Sequence, residues 1–311
     1  MATSRHIVVL CATRRGLAFL ERLHQLCPRD TLTVVSFPEA PGEPPFLDDI
    51  TAFAASHGAR MFVTRDVESA ACADMWGEPV DLLFMVHWRY LLAPGTLSRA
   101  RSAVVLHDSL LPRYRGFSPT VWAIVNGEHE AGATLLHAAE DFDTGDIIDQ
   151  EAVPIGADDT IADVFERTTG AYLRLLERNI DALKDGRSPR RAQDEAQATY
   201  TCRRVADDNR IDWSQSAVAI HDLIRGCTRP YPGAFTFEGG RRVTIWSSRP
   251  NPIPWRYVGV VPGRVVRVVP NEGIVVLTGD GTLMIRDVRV DGGADQCAAD
   301  VFRSLSTTFG V

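Results

Sequence analysis

The chain is first bounded by what it lacks. No apolar run in its 311 residues approaches the roughly 20 residues that a membrane-spanning helix needs. The opening MATSRHIVVLCATRRG has an apolar run of six residues and then two arginines, which fits a first buried strand and not a signal peptide. A cytoplasmic location is expected. The cysteines Cys11, Cys27, Cys72, Cys202, Cys227 and Cys297 form no CxxC pair for zinc or redox chemistry. In a cytoplasmic chain they read as reduced thiols. The turn Cys11–Gly16 lacks GxGxxG, so a dinucleotide fold has no fingerprint here. Lysine is nearly missing, with Lys184 alone among 33 basic residues. No internal repeat or low-complexity stretch occurs.

Excess positive charge is also absent. The net charge of −7 disfavours a nucleic-acid partner. The charge is uneven: residues 1–199 hold 19 basic and 29 acidic side chains, residues 200–311 hold 14 and 11. Hydrophobic residues at 45% and charged residues at 23% suit a globular protein, and the length suits two domains.

The first half alternates strand and helix signals. His6–Cys11, Thr31–Ser36, Arg60–Thr64, Val80–Val86 and Ser102–Leu106 are short apolar runs of the kind that buried parallel strands give. Gly16–Leu26 and Ile50–His57 between them have helical spacing. This alternation predicts an α/β domain with a doubly wound parallel sheet. Thr160–Leu183 is the clearest helix, with Thr168 and Asn179 as polar exceptions on its apolar stripe and Gly186 as its stop. Arg187–Thr199 is polar, without periodicity, and reads as a linker. After one short helix at Ala217–Gly226 come five β runs: Ala234–Phe237, Arg242–Trp246, Gly263–Val269, Gly273–Leu277 and Thr282–Val288. They predict a small barrel.

Two polar segments stand out. His107-Asp108-Ser109-Leu110-Leu111-Pro112-Arg113-Tyr114-Arg115-Gly116 leaves an apolar strand directly for a loop. Ligands of open α/β sheets bind at the carboxyl ends of strands, which is where His107 falls. Ala139-Glu140-Asp141-Phe142-Asp143-Thr144-Gly145-Asp146 follows the apolar run Ala133–Leu136. On composition alone it reads as a solvated acidic loop.

Together these segments resemble one family. HxSLLPxYRG followed about thirty-five residues later by D-T/A-G is the signature of the 10-formyltetrahydrofolate-dependent formyltransferases. The resemblance continues through Trp122–Glu128, Ile211-Asp212-Trp213, Arg229–Phe235 and Val243–Ser248, so it covers nearly the whole chain in order. The subgroup looks like the sugar-nucleotide formyltransferase domain acting on 4-amino-4-deoxy-arabinose; methionyl-tRNA formyltransferase is the other two-domain relative. The likeness implies a Rossmann-like, folate-binding catalytic domain over residues 1–186, a linker at 187–204 and an OB-like β-barrel domain at 205–311. It implies 10-formyltetrahydrofolate as co-substrate, no metal, and a small-molecule amine as acceptor.

By the same resemblance His107 and Asp143 are the catalytic pair. An amine attacks the formyl carbon on N10 of the folate, an oxyanion forms, and the amine must lose a proton. Histidine shuttles protons near neutral pH, and a neighbouring carboxylate orients the ring and favours the imidazolium, which stabilises the oxyanion. The pterin end of the folate would lie against Tyr90, Leu91 and Leu92 and against Ala139, Glu140, Asp141 and Phe142. On the residues alone, plain packing accounts for Leu91 and Leu92.

Val105 departs from the family, which has an oxyanion-holding asparagine two residues before the histidine. Losing one such donor typically costs about 10²–10³ in rate. Asp108, Ser109 and loop amides are the nearest replacements. The departure keeps a folate-dependent hydrolase or a non-catalytic folate binder open as alternatives to transfer. Methionyl-tRNA formyltransferase is the third alternative. Against it, Phe37–Ile50, where tRNA-acting members carry a basic loop, holds Glu39, Glu43, Asp48 and Asp49 and no basic residue.

Overall fold

The computed structural model describes residues 4–39 and 44–310. These divide into two compact units. The first comprises the chain up to Pro119, Glu130–Pro154 and Phe165–Cys202. The second comprises Thr120–His129, Ile155–Val164 and the chain from Arg203 onward.

The first unit is built on a seven-stranded mixed sheet. Its strands are β1 (His6–Cys11), β2 (Thr31–Ser36), β3 (Arg60–Val63), β4 (Val80–Val86), β5 (Ala100–His107), β7 (Glu130–His137) and β8 (Ile147–Pro154). A short β6 (Arg115–Gly116) lies outside it. The order β3-β2-β1-β4-β5-β7-β8 is parallel as far as β5; β7 pairs antiparallel with β5, and β8 antiparallel with β7. Every residue of β1 is buried, as is nearly all of β4, because helices cover both faces of a parallel sheet. That is why these strands read as unbroken apolar runs.

Helix α1 (Thr13–Leu26) crosses from β1 to β2 and α2 (Leu47–Ser56) from β2 to β3. α1 starts three residues before Gly16. Gly16 lies against the end of β1, where a β-carbon would come within 2.8 Å of the Cys11 Cβ. Of the acidic Phe37–Ile50 segment, Ala40–Glu43 lie outside the described residues. Asp48 and Asp49 occupy the first turn of α2, where the helix dipole favours negative charge. A short α3 (Pro94–Leu97) precedes β5, α4 (Pro119–Val125) follows β6, and α5 (Ile161–Lys184) is the long helix. The polar exceptions of α5 are both engaged. Thr168 accepts a hydrogen bond from Arg15, and Asn179 donates to Asp149 Oδ2 at 2.8 Å. The stretch expected as a linker, 187–204, is hydrogen-bonded into the first unit as far as Cys202. Arg191 pairs with Ile147, and β9 (Tyr200–Thr201) pairs in parallel with β6.

In the second unit helix α6 (Ala217–Cys227) packs with two four-stranded antiparallel sheets. One is formed by β10 (Ala234–Glu238), β11 (Arg241–Ile245), β16 (Asp287–Val290) and β17 (Asp295–Cys297). The other contains β12 (Ser248–Pro250), β13 (Val265–Val269), β14 (Gly273–Leu277) and β15 (Thr282–Ile285). Val243, Ile245 and Val288 of the first sheet share one core with Val265, Ile274, Val276, Leu283 and Ile285 of the second. The run Thr282–Val288, expected as one strand, is two strands in different sheets that part at Arg286. Its amide donates to Ser247 O, and its carbonyl accepts from the Ala298 amide.

Candidate functional site

β5 ends at His107, so the histidine stands at the carboxyl end of a central strand. The loop that follows turns back sharply, with Tyr114 left-handed at φ 60°. This brings the Tyr114 carbonyl to the ring, where it accepts a hydrogen bond from His107 Nε2 at 2.9 Å. Ser109 Oγ pins the same turn by donating to Arg113 O at 2.6 Å.

β7 runs antiparallel to β5, with Val104 opposite His137 and the Ala138 amide donating to Ala103 O. The loop leaving β7 therefore starts beside the middle of β5 and must fold back along it to reach His107. It does so through a tight turn at 143–145. Asp143 is left-handed at φ 56°, an uncommon conformation for a residue with a side chain. A β-carbon on Gly145 would fall 1.8 Å from His137 O, so only glycine fits. Asp143 Oδ1 then lies 3.4 Å from His107 Nδ1, while Oδ2 accepts from the Gly116 amide at 2.9 Å.

Both nitrogens of His107 thus face acceptors, a carboxylate on one side and a carbonyl on the other. An imidazolium supplies an N–H to each; a neutral ring supplies only one. The ring and the carboxylate are both largely buried. The two sequence-predicted catalytic residues are therefore in contact, in an arrangement that accommodates positive charge on the ring beside negative charge on Asp143.

Residues 48–180 match the family model described as "Formyl transferase", and residues 205–306 match "Formyl transferase, C-terminal domain". The chain belongs to the formyl transferase family. Its fold is shared with solved structures at low sequence identity. WlaRD, a sugar 3N-formyl transferase crystallised with dTDP and 5-N-formyl-THF, is 18% identical with a TM-score of 0.70, over 91% of this chain and 98% of that one. An N-formyltransferase from Helicobacter canadensis, in complex with folinic acid and dTDP-3-aminofucose, is 16% identical with a TM-score of 0.70, over 91% and 99%. HypX from Aquifex aeolicus, in complex with tetrahydrofolic acid, is 17% identical with a TM-score of 0.64. There the match covers 96% of this chain but 46% of HypX.

The residues of this formyl transferase expected at the pterin divide by exposure. Leu91 is 51% exposed, whereas Leu92 is 7% exposed and packs in the core with Val8, Leu10 and Leu83. Tyr90 closes an aromatic group with Phe37 and Trp88, at centroid distances of 5.3 and 5.6 Å. On the second loop Ala139 is half-buried, Glu140 and Asp141 are exposed, and the exposed Phe142 ring lies 5.9 Å from Phe117. Among the described residues no group of three or more His, Cys, Asp or Glu is placed to hold a metal, and no helix is long and apolar enough to cross a membrane.

Val105 points to the same side of β5 as His107, two residues on, and packs with Leu111, Leu136 and Ile147. Neither side chain named as a replacement donor serves. The Ser109 hydroxyl proton goes to Arg113 O. The Asp108 carboxylate, buried beside Arg15, accepts from the Tyr172 hydroxyl. Backbone amides of the two loops remain.

Sequence reasoning missed Gly116, the Tyr114 carbonyl and Gln193, whose side-chain amide donates to Asp143 O and Gly145 O. The first two act through backbone atoms, which residue type does not reveal. Gln193 lies in the stretch expected to be a linker.

Proposed function

We propose that this chain is a cytoplasmic N-formyltransferase. It carries the formyl group of 10-formyltetrahydrofolate to the amine of a small molecule, with an amino sugar or sugar nucleotide favoured. The observation that carries the reading is the His107–Asp143 contact, with both ring nitrogens facing acceptors. The two neighbours crystallised with a folate and with dTDP or a dTDP-amino sugar support it.

In this mechanism the acceptor nitrogen bonds to the formyl carbon, whose oxygen gains the electron pair. The positive end of the pair and nearby backbone amides stabilise that oxygen. The amine proton passes to the carboxylate–imidazole pair. The carbon–N10 bond then breaks, the pair passes the proton it received to N10, and tetrahydrofolate leaves. Tyr90, Leu91, Leu92 and Ala139–Phe142 hold the pterin end.

The test is to incubate the protein with 10-formyltetrahydrofolate and a panel of amines, followed by mass spectrometry. The expected product is one formylated amine, an amino sugar or its nucleotide. Free formate without acceptor product would make the protein a hydrolase. Formylated methionyl-tRNA would overturn the small-molecule reading.

A further inference from the structure

Arg115 belongs to the YRG motif, yet its side chain is fully buried and touches neither His107 nor Asp143. Its guanidinium is saturated by residues about eighty positions away in sequence. Nε and Nη2 donate to Gln193 Oε1 at 3.1 and 2.8 Å. Nη1 and Nη2 donate to the two oxygens of Glu195 at 2.9 and 2.7 Å, and Nη1 also donates to Tyr200 Oη at 2.9 Å. Glu195 above all holds the cation strongly charged.

This settles how the Gln193 amide points. Its oxygen is claimed twice by the guanidinium, so its nitrogen faces the other way. There it donates to Asp143 O at 2.7 Å and to Gly145 O at 2.8 Å. A flipped amide would set oxygen against two carbonyls and NH₂ against a cation. Gln193 therefore ties the two ends of the strained turn that carries Asp143. The turn needs such a tie. A left-handed residue with a side chain is strained and persists only where its surroundings enforce it.

We propose that Gln193, locked by Arg115, is a positioning residue for the reaction: it holds the Asp143 turn so that the carboxylate stays against His107. The proposal rests on the formyl-transfer reading for its effect on rate, but its structural half does not.

Gln193→Glu separates positioning from packing. The shape and the contact to Arg115 are kept, but an oxygen replaces the nitrogen that faces Asp143 O and Gly145 O. Full-length protein labelled with ¹⁵N-histidine would be compared with this variant and with Gln193→Met, using His107→Asn to assign the ring resonances. Three quantities are read: melting temperature, kcat and KM with the amine that the wild type formylates, and the Nδ1 and Nε2 resonances of His107 at fixed pH. The expected result is a protein that still melts cooperatively, at a somewhat lower temperature because the turn loses its tie, a fall in kcat of about 10²-fold from misplacement of the carboxylate, and moved His107 resonances. Wild-type kcat together with wild-type resonances in Gln193→Glu would overturn the proposal. If the wild type transfers no formyl group to any amine, the reading of function fails instead, and the resonances alone decide the positioning role. If Gln193→Glu does not fold, the same measurements on Gln193→Met decide the question by the same criteria.

Discussion

His107 and Asp108 are neighbours in sequence and belong to two polar clusters of opposite character. On one side His107 faces Asp143 across 3.4 Å, inside loops bent into left-handed turns. On the other, Asp108 is sealed against α1 and α5, where it pairs with Arg15 and accepts from the Tyr172 hydroxyl. Arg15 itself donates to Thr169 Oγ1 at 3.0 Å and lies 4.5 Å from the centre of the Phe165 ring. Both clusters hold an acid and a base. They differ in the acid's ion-pair partner: for Asp143 a histidine, whose charge can change, and for Asp108 an arginine, whose charge cannot, with His87 acting on it at longer range. The first arrangement can move a proton, and in the second the fixed charge of Arg15 ties α1 and α5 to the end of β5.

The sharpest way to break this comparison is His107→Ala. Turnover should fall by about 10²–10⁴-fold, as loss of a general acid–base group does, with folate binding and melting temperature little changed. Asp143→Asn should fall nearly as far, since its side chain still accepts from the Gly116 amide but loses the carboxylate opposite Nδ1. Retained transfer in His107→Ala, measured by single-turnover formylation, would move the chemistry elsewhere.

Asp108→Ala should give the opposite profile. It removes the carboxylate of a buried ion pair with Arg15, which typically costs about 3–5 kcal/mol, read as a lower denaturant midpoint. The fraction that still folds should keep its turnover. A stable Asp108→Ala protein without activity would make the two clusters one site.

Acid sharpens the same point. Burial alone would raise the pKa of Asp108. Arg15, His87 and the Tyr172 hydrogen bond outweigh burial and hold the carboxyl below the ordinary aspartate value. A lowered carboxylate pKa means that the unfolded chain binds the proton first. Its contribution to stability is thus in place above about pH 4, the unfolded aspartate range, and fades as the pH drops below it. Urea midpoints of wild type and Asp108→Asn should therefore converge on acidification, and a gap that persists at low pH would refute the assignment.

The smallest effect is expected at Val105. Val105→Asn adds a donor on the His107 side of β5 and should preserve or raise turnover. It costs about 1–3 kcal/mol of stability if the amide finds no partner. A folded variant that binds folate but does not turn over would show that valine belongs to a different arrangement of the acceptor.

Much of this was legible in sequence. The buried parallel strands and α5 emerge from apolar runs and helical spacing, and the two motifs single out His107 and Asp143, which the structure brings into contact. The break at Arg286 also left a trace. Leu283 and Ile285 face inward two apart, but the next inward residue is Val288, three further on, so the alternation slips where the chain changes sheets. Gln193 left none. Its part is set by Arg115, 78 residues away, and by two backbone carbonyls about fifty residues away, and a glutamine among polar neighbours gives no period to read.

The pairing of β6 with β9 has a practical consequence. Arg115 is enclosed by Gln193, Glu195 and Tyr200, and Gly116 lies against Thr201, so the loop that supports His107 is finished by residues 193–201. A fragment cut after Gly186 would end with the long helix intact and both His107 and Asp143 present. It would also expose a bare guanidinium where the full chain has a filled socket. Excision meant to isolate the chemistry should run through Cys202, the last residue of the first unit.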